Sequence, residues 1–379
     1  MCERAQGSGA HCVRNRDAAV VFAVKHVYHV WKGLKMLSGM QWIGKKLQVL
    51  ERVGPVGAYH RLMYKWVGRE RHMRYGSENP EHTFYVIRGI DHECRHYCGV
   101  PLNLLAIHSY VLSHLLYAEE KGYLPIIDQR NDPVNNRKDS PDSGADNPWE
   151  YFWHQPIPYT LEEVYRSRHV VLSKRSWYEP GNLGFSVEAH QNVETIRAYH
   201  RLSAKVPLNG ETQRYIGEWK ERLFPNRGKI LGVALRRGGY AKADSWHAPD
   251  HPIQPEPEEL AKIVAKRLEE WGMDSVFLTT EEGLYIDLFR DLFGDRLICL
   301  PRVRYHGCQD YPTEEDPLYW SGQRYQTALD YLTEMELLAA CDGLIGSITS
   351  GLRYAIIQNN GAFEHLDVLD CGRYPPSRR

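Results

Sequence analysis

From residue 84 onward, short apolar runs alternate with longer segments in which apolar residues recur every three or four positions. The first run, residues 84–87, is β-branched and aromatic, and the periodic segment 102–118 after it predicts a helix closed by Gly122. Residues 124–128 form the next run and end in an aspartate. Continuously apolar runs of this kind are typical of parallel strands buried on both faces.

The same alternation is clearest after residue 228. Strands are predicted at 229–235, 275–279, 297–299 and 343–346, and helices after Pro257 and at 284–293, 329–341 and 352–358. Strict alternation of strand and helix predicts a doubly wound parallel sheet, in which ligands bind beyond the carboxyl ends of the strands. Residues 225–228, Pro-Asn-Arg-Gly, mark the expected hinge between two lobes.

A long polar segment separates the first predicted strands from the helices that follow. Residues 129–149 are rich in Asn, Asp, Ser and Pro and predict a loop, and loops of this length inside a compact domain are usually functional. The aromatic cluster 149–153 comes next, and its rings either stack on a sugar or pack in the core. Thr160 and Glu163 have the spacing of a helix capping box.

The first 75 residues differ from the rest in charge. They carry 14 Lys or Arg against four acids, a net charge of +10 in a chain whose formal net charge is −1. Apolar residues between positions 22 and 37 approximate one helical stripe. A basic helix of this kind either binds an anionic membrane surface or packs its stripe on the main body. Nucleic acid is not an expected partner, because the rest of the chain is acidic and contains no recognisable nucleic-acid module.

Length and composition indicate a globular chain of two domains. The 379 residues are 42% hydrophobic and 25% charged, and the eight cysteines lack a regular spacing, which favours free thiols in a reducing compartment. The apolar run 18–24 is too short to cross a bilayer, and the features of a secretory signal are not present together. We therefore expect a cytoplasmic protein, with a basic helical extension over residues 1–80 and two lobes over 81–225 and 226–379.

Two arginines follow the first strand of the second lobe. Arg236 and Arg237 precede two glycines and Tyr240. Guanidinium groups match phosphate oxygens and stay charged at physiological pH, so at a strand end they can neutralise a departing diphosphate. The alternative is a solvated pair on a surface loop.

Hydroxyl and carboxylate groups follow two other strands of this lobe. Ser347, Thr349 and Ser350 precede the helix at 352–358, where free backbone N–H groups and the helix dipole favour an anion; plain N-capping is the alternative. Glu281 and Glu282 end the second strand and either bind a ribose or base or act as first-turn acids. The helix before the hydroxyl turn adds a further candidate, Glu334.

These segments together resemble the successive motifs of bacterial fucosyltransferase-like glycosyltransferases. In the second lobe the similar segments are 232–240, 251–255 (His-Pro-Ile-Gln-Pro), 278–281, 331–335, 347–351 and 370–374, and in the first lobe they are 117–128 and 147–156. The likeness covers roughly residues 84–374, and an ordered series of motifs is more specific than any one of them. The second lobe is also distantly similar to α-1,6-fucosyltransferases.

The resemblance implies a GT-B fold, in which two Rossmann-like lobes with parallel sheets face a central cleft. It also implies an inverting, metal-independent transfer without a cofactor, with GDP-fucose as donor and a glycan or lipid-linked oligosaccharide of cell-surface polysaccharide synthesis as acceptor. By the same likeness, donor-binding residues are Arg236, Arg237, Tyr240, His251, Glu281, Glu282, Glu334, Ser347, Thr349 and Ser350, and the catalytic set includes Arg236.

Two positions depart from the family pattern. Relatives usually have an acid near position 239, where this chain has glycine, and the eukaryotic group has histidine where this chain has Ala234. Either departure is compatible with a changed donor or with lost activity. A catalytically inactive nucleotide- or glycan-binding protein is therefore the alternative function, and an epimerase is a third.

An inverting transfer needs a base for the acceptor hydroxyl. Asp128 and Glu150 are the catalytic candidates, and each has a structural alternative: a turn cap for Asp128 and an arginine pair for Glu150. Residues 92–98 bring two histidines and two cysteines together without a second ligand pair, so they form either a zinc site or an ordinary loop.

Overall fold

The computed structural model describes residues 68–89, 104–130, 146–178, 181, 183–184, 186–225, 228–236, 252–304 and 324–374. The predicted N-terminal helix and the segment 92–98 lie outside these residues. The described part of the chain contains no helix that combines the length and the apolar character needed to span a bilayer.

The first lobe is built on a mostly parallel sheet. Its strands are β1 (Arg71–Met73), β2 (Glu78–Arg88), β3 (Leu124–Asp128) and β4 (Ser167–Leu172), in the order β1-β4-β2-β3. Strand β2 pairs in parallel with β3 and β4, whereas β1 is antiparallel to β4 at the edge. The predicted strands 84–87 and 124–128 are confirmed. The sheet also starts before residue 81, because β1 and the first residues of β2 belong to it.

Helices flank this sheet and connect it to the second lobe. They are α1 (Leu104–Lys121), α2 (Leu161–Val164), α3 (Val187–Gln191), α4 (Val193–Ser203) and α5 (Gly210–Leu223). Helix α1 ends at Gly122, whose φ of 67° is a conformation that glycine adopts without steric cost. The predicted capping box is confirmed, since the Glu163 N–H donates to Thr160 Oγ1 and Glu163 Oε2 accepts from the Thr160 N–H at 2.7 Å.

The second lobe is a fully parallel sheet with helices on both faces. Its strands are β5 (Ile230–Ala234), β6 (Ser275–Thr279), β7 (Leu297–Ile298), β8 (Gly343–Ser347) and β9 (His365–Leu369), and its helices are α6 (Pro257–Glu270), α7 (Gly283–Phe293), α8 (Arg324–Ala339) and α9 (Ser350–Gln358). The sheet order is β7-β6-β5-β8-β9. The chain runs outward in one direction from β5 and then in the other from β8, so the topological switch point lies between these two strands.

Strands β5 and β8 and the start of α9 pack closely around Gly346 at the switch point. A Cβ placed on Gly346 would lie 2.9 Å from Leu352 Cδ1 and 3.0 Å from Ala234 Cβ. A side chain at position 346 would therefore crowd the end of β5 and the first turn of α9.

One hydrophobic cluster of buried residues spans both lobes. Residues 350–357 of α9 are buried, and this helix packs against α1 and α4 of the first lobe. Polar contacts join the same surfaces: Gln358 Nε2 donates to Ser203 Oγ at 2.7 Å, and His200 Nδ1 lies 2.9 Å from the Ile357 carbonyl oxygen. The predicted α/β fold with parallel sheets is confirmed for the described residues.

Candidate functional site

A pocket lies at the switch point of the second sheet. It is lined by Ala234, Leu235, Arg236, Thr279, Thr280, Glu281, Arg302, Tyr331, Glu334, Met335, Thr349, Gly351 and Leu352. These residues come from the carboxyl ends of β5 and β6, from the segment after β7, from α8 and from the first turn of α9. Doubly wound sheets bind ligands at this place. The pocket therefore unites four of the predicted donor-binding residues: Arg236, Glu281, Glu334 and Thr349.

Arg236 and Glu281 form an ion pair at the mouth of this pocket. The Arg236 Nε lies 3.7 Å from Glu281 Oε1, and the two side chains are 25% and 28% exposed. At 3.7 Å the contact is electrostatic and longer than a hydrogen bond. Both groups keep part of their surface accessible, so a ligand in the pocket can reach each of them.

The three hydroxyl residues around the start of α9, Ser347, Thr349 and Ser350, have different roles. Thr349 caps α9 by accepting a hydrogen bond from the Leu352 N–H at 3.0 Å, and it also lines the pocket. Ser347 is buried and donates to Gln254 Oε1, and Ser350 is buried beside Tyr331. Thr349 therefore caps the helix and lines the pocket at the same time. Its cap occupies one backbone N–H of the first turn of α9, and the other N–H groups of that turn stay available to a ligand.

Glu334 lies at the inner wall of the pocket under two arginines. Arg302 donates to both of its carboxylate oxygens and Arg304 Nη2 donates to Oε1 at 2.9 Å. Burial raises the pKa of Glu334, and the two guanidiniums oppose that rise. A ligand therefore meets Glu334 as part of a paired cluster and not as an isolated carboxylate.

Arg302 is a pocket residue that the sequence prediction missed, and Arg304 contacts the same Glu334 carboxylate beside it. They follow the short strand β7, so the signal was their position after a strand end, the same one that singled out Arg236. Together with Arg236, Glu281 and Glu334 they carry one net positive charge. This balance favours an anionic ligand.

Glu282 differs from its neighbour Glu281. It is 2% exposed, its backbone N–H donates to Thr280 Oγ1 at 3.3 Å, and it stands at the start of α7. Its side chain is not part of the pocket lining described above. The expected contact between Glu282 and a nucleoside stays a prediction.

Asp128 lies at the carboxyl end of β3 and is fully engaged. One oxygen accepts from the Arg130 backbone N–H and Nε, and the other accepts from Arg130 Nη2 at 2.9 Å and from the Tyr165 hydroxyl at 2.8 Å. Burial raises the pKa of Asp128, but these hydrogen bonds outweigh it and hold that pKa below its ordinary value. The contacts match the turn-cap alternative, and a lowered pKa makes the group a weak base.

Glu150 is placed differently. It lies in the short 3₁₀ helix Pro148–Tyr151 and accepts hydrogen bonds at Oε1 from Gln155 at 2.6 Å and Asn147 at 3.3 Å. It also lines an open groove with Gln155, His154 and Asn209. The partners of Glu150 are amides, and the carboxylate is accessible from this groove.

The aromatic cluster is part of the core. Trp149, Tyr151, Phe152 and Trp153 are all buried, and Trp149 stacks on Trp153 with centroids 4.6 Å apart. The packing alternative is therefore realised. Their edges also line a second pocket between the lobes.

Three predicted donor-binding residues lie outside the described residues: Arg237, Tyr240 and His251. The zinc-type segment 92–98 lies outside them as well. Where the chain is described, no group of three His, Cys, Asp or Glu side chains is arranged to hold a metal ion.

Comparisons with known proteins give matches in structure but not in sequence. No protein-family model matches the chain, and no curated protein matches it. NodZ α-1,6-fucosyltransferase soaked with GDP-fucose is 15% identical, with a TM-score of 0.40 over 73% of this chain and 92% of that chain. Fucosyltransferase NodZ from Bradyrhizobium is also 15% identical, with a TM-score of 0.38 over 72% and 92%.

POFUT1 in its apo form is a third structural match. It is 8% identical, with a TM-score of 0.41 over 77% of this chain and 99% of that chain. Similarity at this level does not identify a function.

Proposed function

We propose that the chain is an inverting, metal-independent glycosyltransferase that transfers fucose from GDP-fucose to a glycan of cell-surface polysaccharide synthesis. The observation that carries the proposal is that Arg236 and the first turn of α9 line one pocket at the switch point of the second sheet. Fucose and GDP are chosen because the motif series resembles that of fucosyltransferase-like enzymes.

The pocket has the chemistry that a departing diphosphate requires. A guanidinium from the end of β5 and the amino end of α9 approach it from adjacent strands, and both favour negative charge. Negative charge grows on the diphosphate as the bond to the sugar breaks. Groups already fixed in place stabilise that charge without reorganising.

The nucleoside lies, in this proposal, against the β6 side of the same pocket. Glu281 and the Thr280 hydroxyl stand at the end of that strand, next to Arg302. A carboxylate at a strand end accepts hydrogen bonds from ribose hydroxyls or base N–H groups. Binding there would exchange part of the Arg236–Glu281 pairing for contacts with the ligand.

Glu150 is the proposed base. The acceptor hydroxyl attacks the anomeric carbon on the face opposite the diphosphate, the carbon–oxygen bond to GDP breaks, and the configuration inverts. The hydroxyl proton passes to the Glu150 carboxylate, which is accessible, whereas both oxygens of Asp128 are occupied.

The test compares two arginines of the second lobe. Arg236→Ala should weaken GDP binding by about tenfold or more, as expected for a charge-assisted contact, and should abolish transfer. Arg290→Ala, at an exposed arginine of α7 that pairs with Asp287, should change neither. Calorimetry with GDP and a GDP-release assay measure the two effects. An Arg236→Ala protein with wild-type affinity and turnover would refute the proposal.

A catalytically inactive nucleotide- or glycan-binding protein is the second candidate. It is favoured by Ala234, which lines the pocket where the eukaryotic relatives have histidine. Wild-type protein that binds GDP and GDP-fucose but releases no GDP with any glycan acceptor would support this function. Protein that binds neither GDP, GDP-fucose nor UDP-sugars would leave only the glycan-binding form of it.

We further propose that the protein acts in the cytoplasm at the inner membrane face, with residues 1–75 on anionic lipid. The support is the net charge of +10 over this segment. Flotation with phosphatidylserine-containing vesicles should recover the full chain at low salt and lose it at high salt. Equal recovery with neutral phosphatidylcholine vesicles would refute the charge argument.

A further inference from the structure

The Tyr331 hydroxyl lies in the pocket at the switch point, against the first turn of α9. Tyr331 belongs to α8, which packs on α9, and it lines the pocket together with Arg236 and Thr349. A Cβ placed on Gly351, the second residue of α9, would lie 2.7 Å from Tyr331 Oη and 2.8 Å from Met335 Sδ. The hydroxyl therefore fills part of the space that a side chain at position 351 would take, beside the backbone of this turn.

The surroundings of this hydroxyl favour a neutral phenol that donates its proton to a ligand. Burial raises the pKa of Tyr331 to about 12, and the charge of Arg236 opposes the rise, so the phenol is protonated at physiological pH. The Ser350 hydroxyl also lowers this pKa, as expected of a donor to the Tyr331 oxygen. The first turn of α9 adds the partial positive charge of its N–H groups. The oxygen thus faces donors, and its own proton is directed to an acceptor in the pocket.

The order of the strands assigns a place to each part of a bound nucleoside diphosphate. Glu281 follows β6, where the nucleoside is proposed to bind, Arg236 follows β5, and α9 follows β8. Strand β5 lies between β6 and β8. Because neighbouring strands are about 4.8 Å apart, a diphosphate that begins at β6 crosses β5 and brings its second phosphate to the first turn of α9. Tyr331 stands at that end of the pocket.

We propose that the Tyr331 hydroxyl donates a hydrogen bond to the second phosphate of the donor, the one bonded to the sugar. This role deepens the proposed transferase function and rests on it. When the bond between the anomeric carbon and the phosphate oxygen breaks, the electron pair stays on that phosphate, and the hydrogen bond strengthens as the negative charge grows. The proton stays on Tyr331, because a phosphate, with a second pKa of about 6, is a far weaker base than a phenolate.

Packing alone is the alternative role of the hydroxyl. In that case it only supports the first turn of α9, and its removal weakens every ligand of the pocket by a similar factor. A contact with the second phosphate affects only ligands that contain this phosphate. GDP and GMP differ in this group, so the ratio of their affinities separates the two roles.

The experiment titrates the full chain with GDP, GMP and inorganic pyrophosphate by calorimetry. Tyr331→Phe removes only the hydroxyl. It should weaken GDP and pyrophosphate by about tenfold or more, the effect of one hydrogen bond to a charged group, and leave GMP affinity within about twofold of the wild type. Tyr178→Phe is the matched control: it loses a hydrogen bond to Glu120 in the first lobe and should bind all three ligands like the wild type.

Turnover provides a second measurement. The kcat of Tyr331→Phe with GDP-fucose should fall by about tenfold or more, with a smaller change in KM, because the contact strengthens as GDP departs. Circular dichroism melts confirm that the variant is folded.

A double-mutant cycle checks the position of the hydroxyl. Gly351→Ala should lower the urea midpoint, because the added methyl group meets Tyr331 Oη at 2.7 Å. In the double variant with Tyr331→Phe the nearest ring carbon is 3.6 Å away, so part of that loss should disappear.

Two results would overturn the proposal. One is that Tyr331→Phe changes GDP and GMP affinity by the same factor or leaves both unchanged. The other is that the effects of Tyr331→Phe and Gly351→Ala on the urea midpoint simply add, which would place the hydroxyl away from the turn.

The same titrations keep this proposal and the transferase function separate. If Arg236→Ala loses GDP and Tyr331→Phe binds it like the wild type, only the phosphate contact is refuted. If the protein binds pyrophosphate through Tyr331 but does not bind GDP or turn over GDP-fucose, only the transferase is refuted. A wild type that binds none of the three ligands refutes both.

Discussion

Arg302 donates to both oxygens of the Glu334 carboxylate, from Nε to Oε1 and from Nη2 to Oε2, at 2.9 Å in each case. The two side chains are 6% and 1% exposed, so the pair is buried in the wall of the pocket at the switch point. Charges removed from water are tolerated only while they stay paired and hydrogen-bonded. Arg304 completes the cluster, and together they join the segment after β7 to helix α8.

Replacing Glu334 should mainly lower the stability of the fold. Glu334→Gln leaves two buried guanidiniums without their carboxylate, and breaking a buried pair costs about 3–5 kcal/mol of unfolding free energy. Urea denaturation measures this loss. The matched variant is Glu269→Gln, which removes an exposed partner of Arg296 and should change the unfolding free energy little. If both variants unfold at the same urea concentration as the wild type, the cluster is not structural.

A larger residue at position 346 should disturb the pocket, because Gly346 lies against the lining residues Ala234 and Leu352. The added methyl group of Gly346→Ala would meet Leu352 Cδ1 at 2.9 Å and Ala234 Cβ at 3.0 Å. Overpacking of this kind costs about 1–3 kcal/mol. Rotation of the flexible Leu352 side chain relieves one contact, whereas the contacts with Ala234 require a shift at the end of β5, where Ala234 lines the pocket. We expect lower stability together with weaker GDP binding, measured by urea denaturation and calorimetry.

Gly210→Ala is the control for the glycine substitution. No atom lies within 4 Å of the Cβ it adds, at the first residue of α5. Its stability should equal or slightly exceed that of the wild type. Wild-type GDP affinity in Gly346→Ala would show that crowding at this position does not affect the pocket.

The second lobe was predictable from the sequence because its strands are continuous apolar runs. The strand predicted at 275–279 agrees with the structure to the residue, and that at 343–346 is only one residue shorter than β8. Strand β4 was missed because Ser167, Arg168 and His169 interrupt the pattern, and β9 because only one of its residues is fully buried. Edge and mixed strands lack the signal that buried parallel strands provide.

The sequence indicates which strand ends form the candidate pocket but not which charged side chains pair with one another. Strand order places Arg236 and Thr349 together, and alternation of strand and helix is enough to anticipate that edge of the sheet. The partners of Glu334 and Asp128 depend on side chains brought in by tertiary packing. Nothing local to Glu334 in the sequence indicates that residues 302 and 304 approach it.

Stability should fall in mild acid because of a buried histidine at the lobe interface. Burial lowers the pKa of His108 from 6.5 to about 3, and its ring lies 4.9 Å from that of Tyr354. Between these pH values the unfolded chain binds a proton that the folded chain does not. The stabilisation is therefore complete above pH 6.5 and is lost as the pH falls below it, by up to about 1.4 kcal/mol per pH unit.

His108→Phe tests this pH dependence. Between pH 7 and pH 5 the wild type should lose about 2 kcal/mol more unfolding free energy than the variant, as urea denaturation at the two pH values would show. His72→Phe changes an exposed histidine and should lose as much as the wild type. Parallel losses in the wild type and His108→Phe would mean that His108 is not buried in its neutral form.

Glu150 and Asp128 should respond in opposite ways to removal of their charge. Glu150→Gln keeps an oxygen that can accept from Gln155, so the fold and GDP affinity should persist while transfer falls about a hundredfold or more, as expected for a lost base. Asp128→Asn breaks the bidentate contact with Arg130 and should lower the unfolding free energy by about 1–3 kcal/mol while turnover of the folded fraction stays close to wild type. Turnover, GDP calorimetry and urea denaturation on both proteins separate the roles. If Asp128→Asn is the variant that stays stable and loses transfer, the base is Asp128, and its contacts with Arg130 and Tyr165 must then open when the acceptor binds.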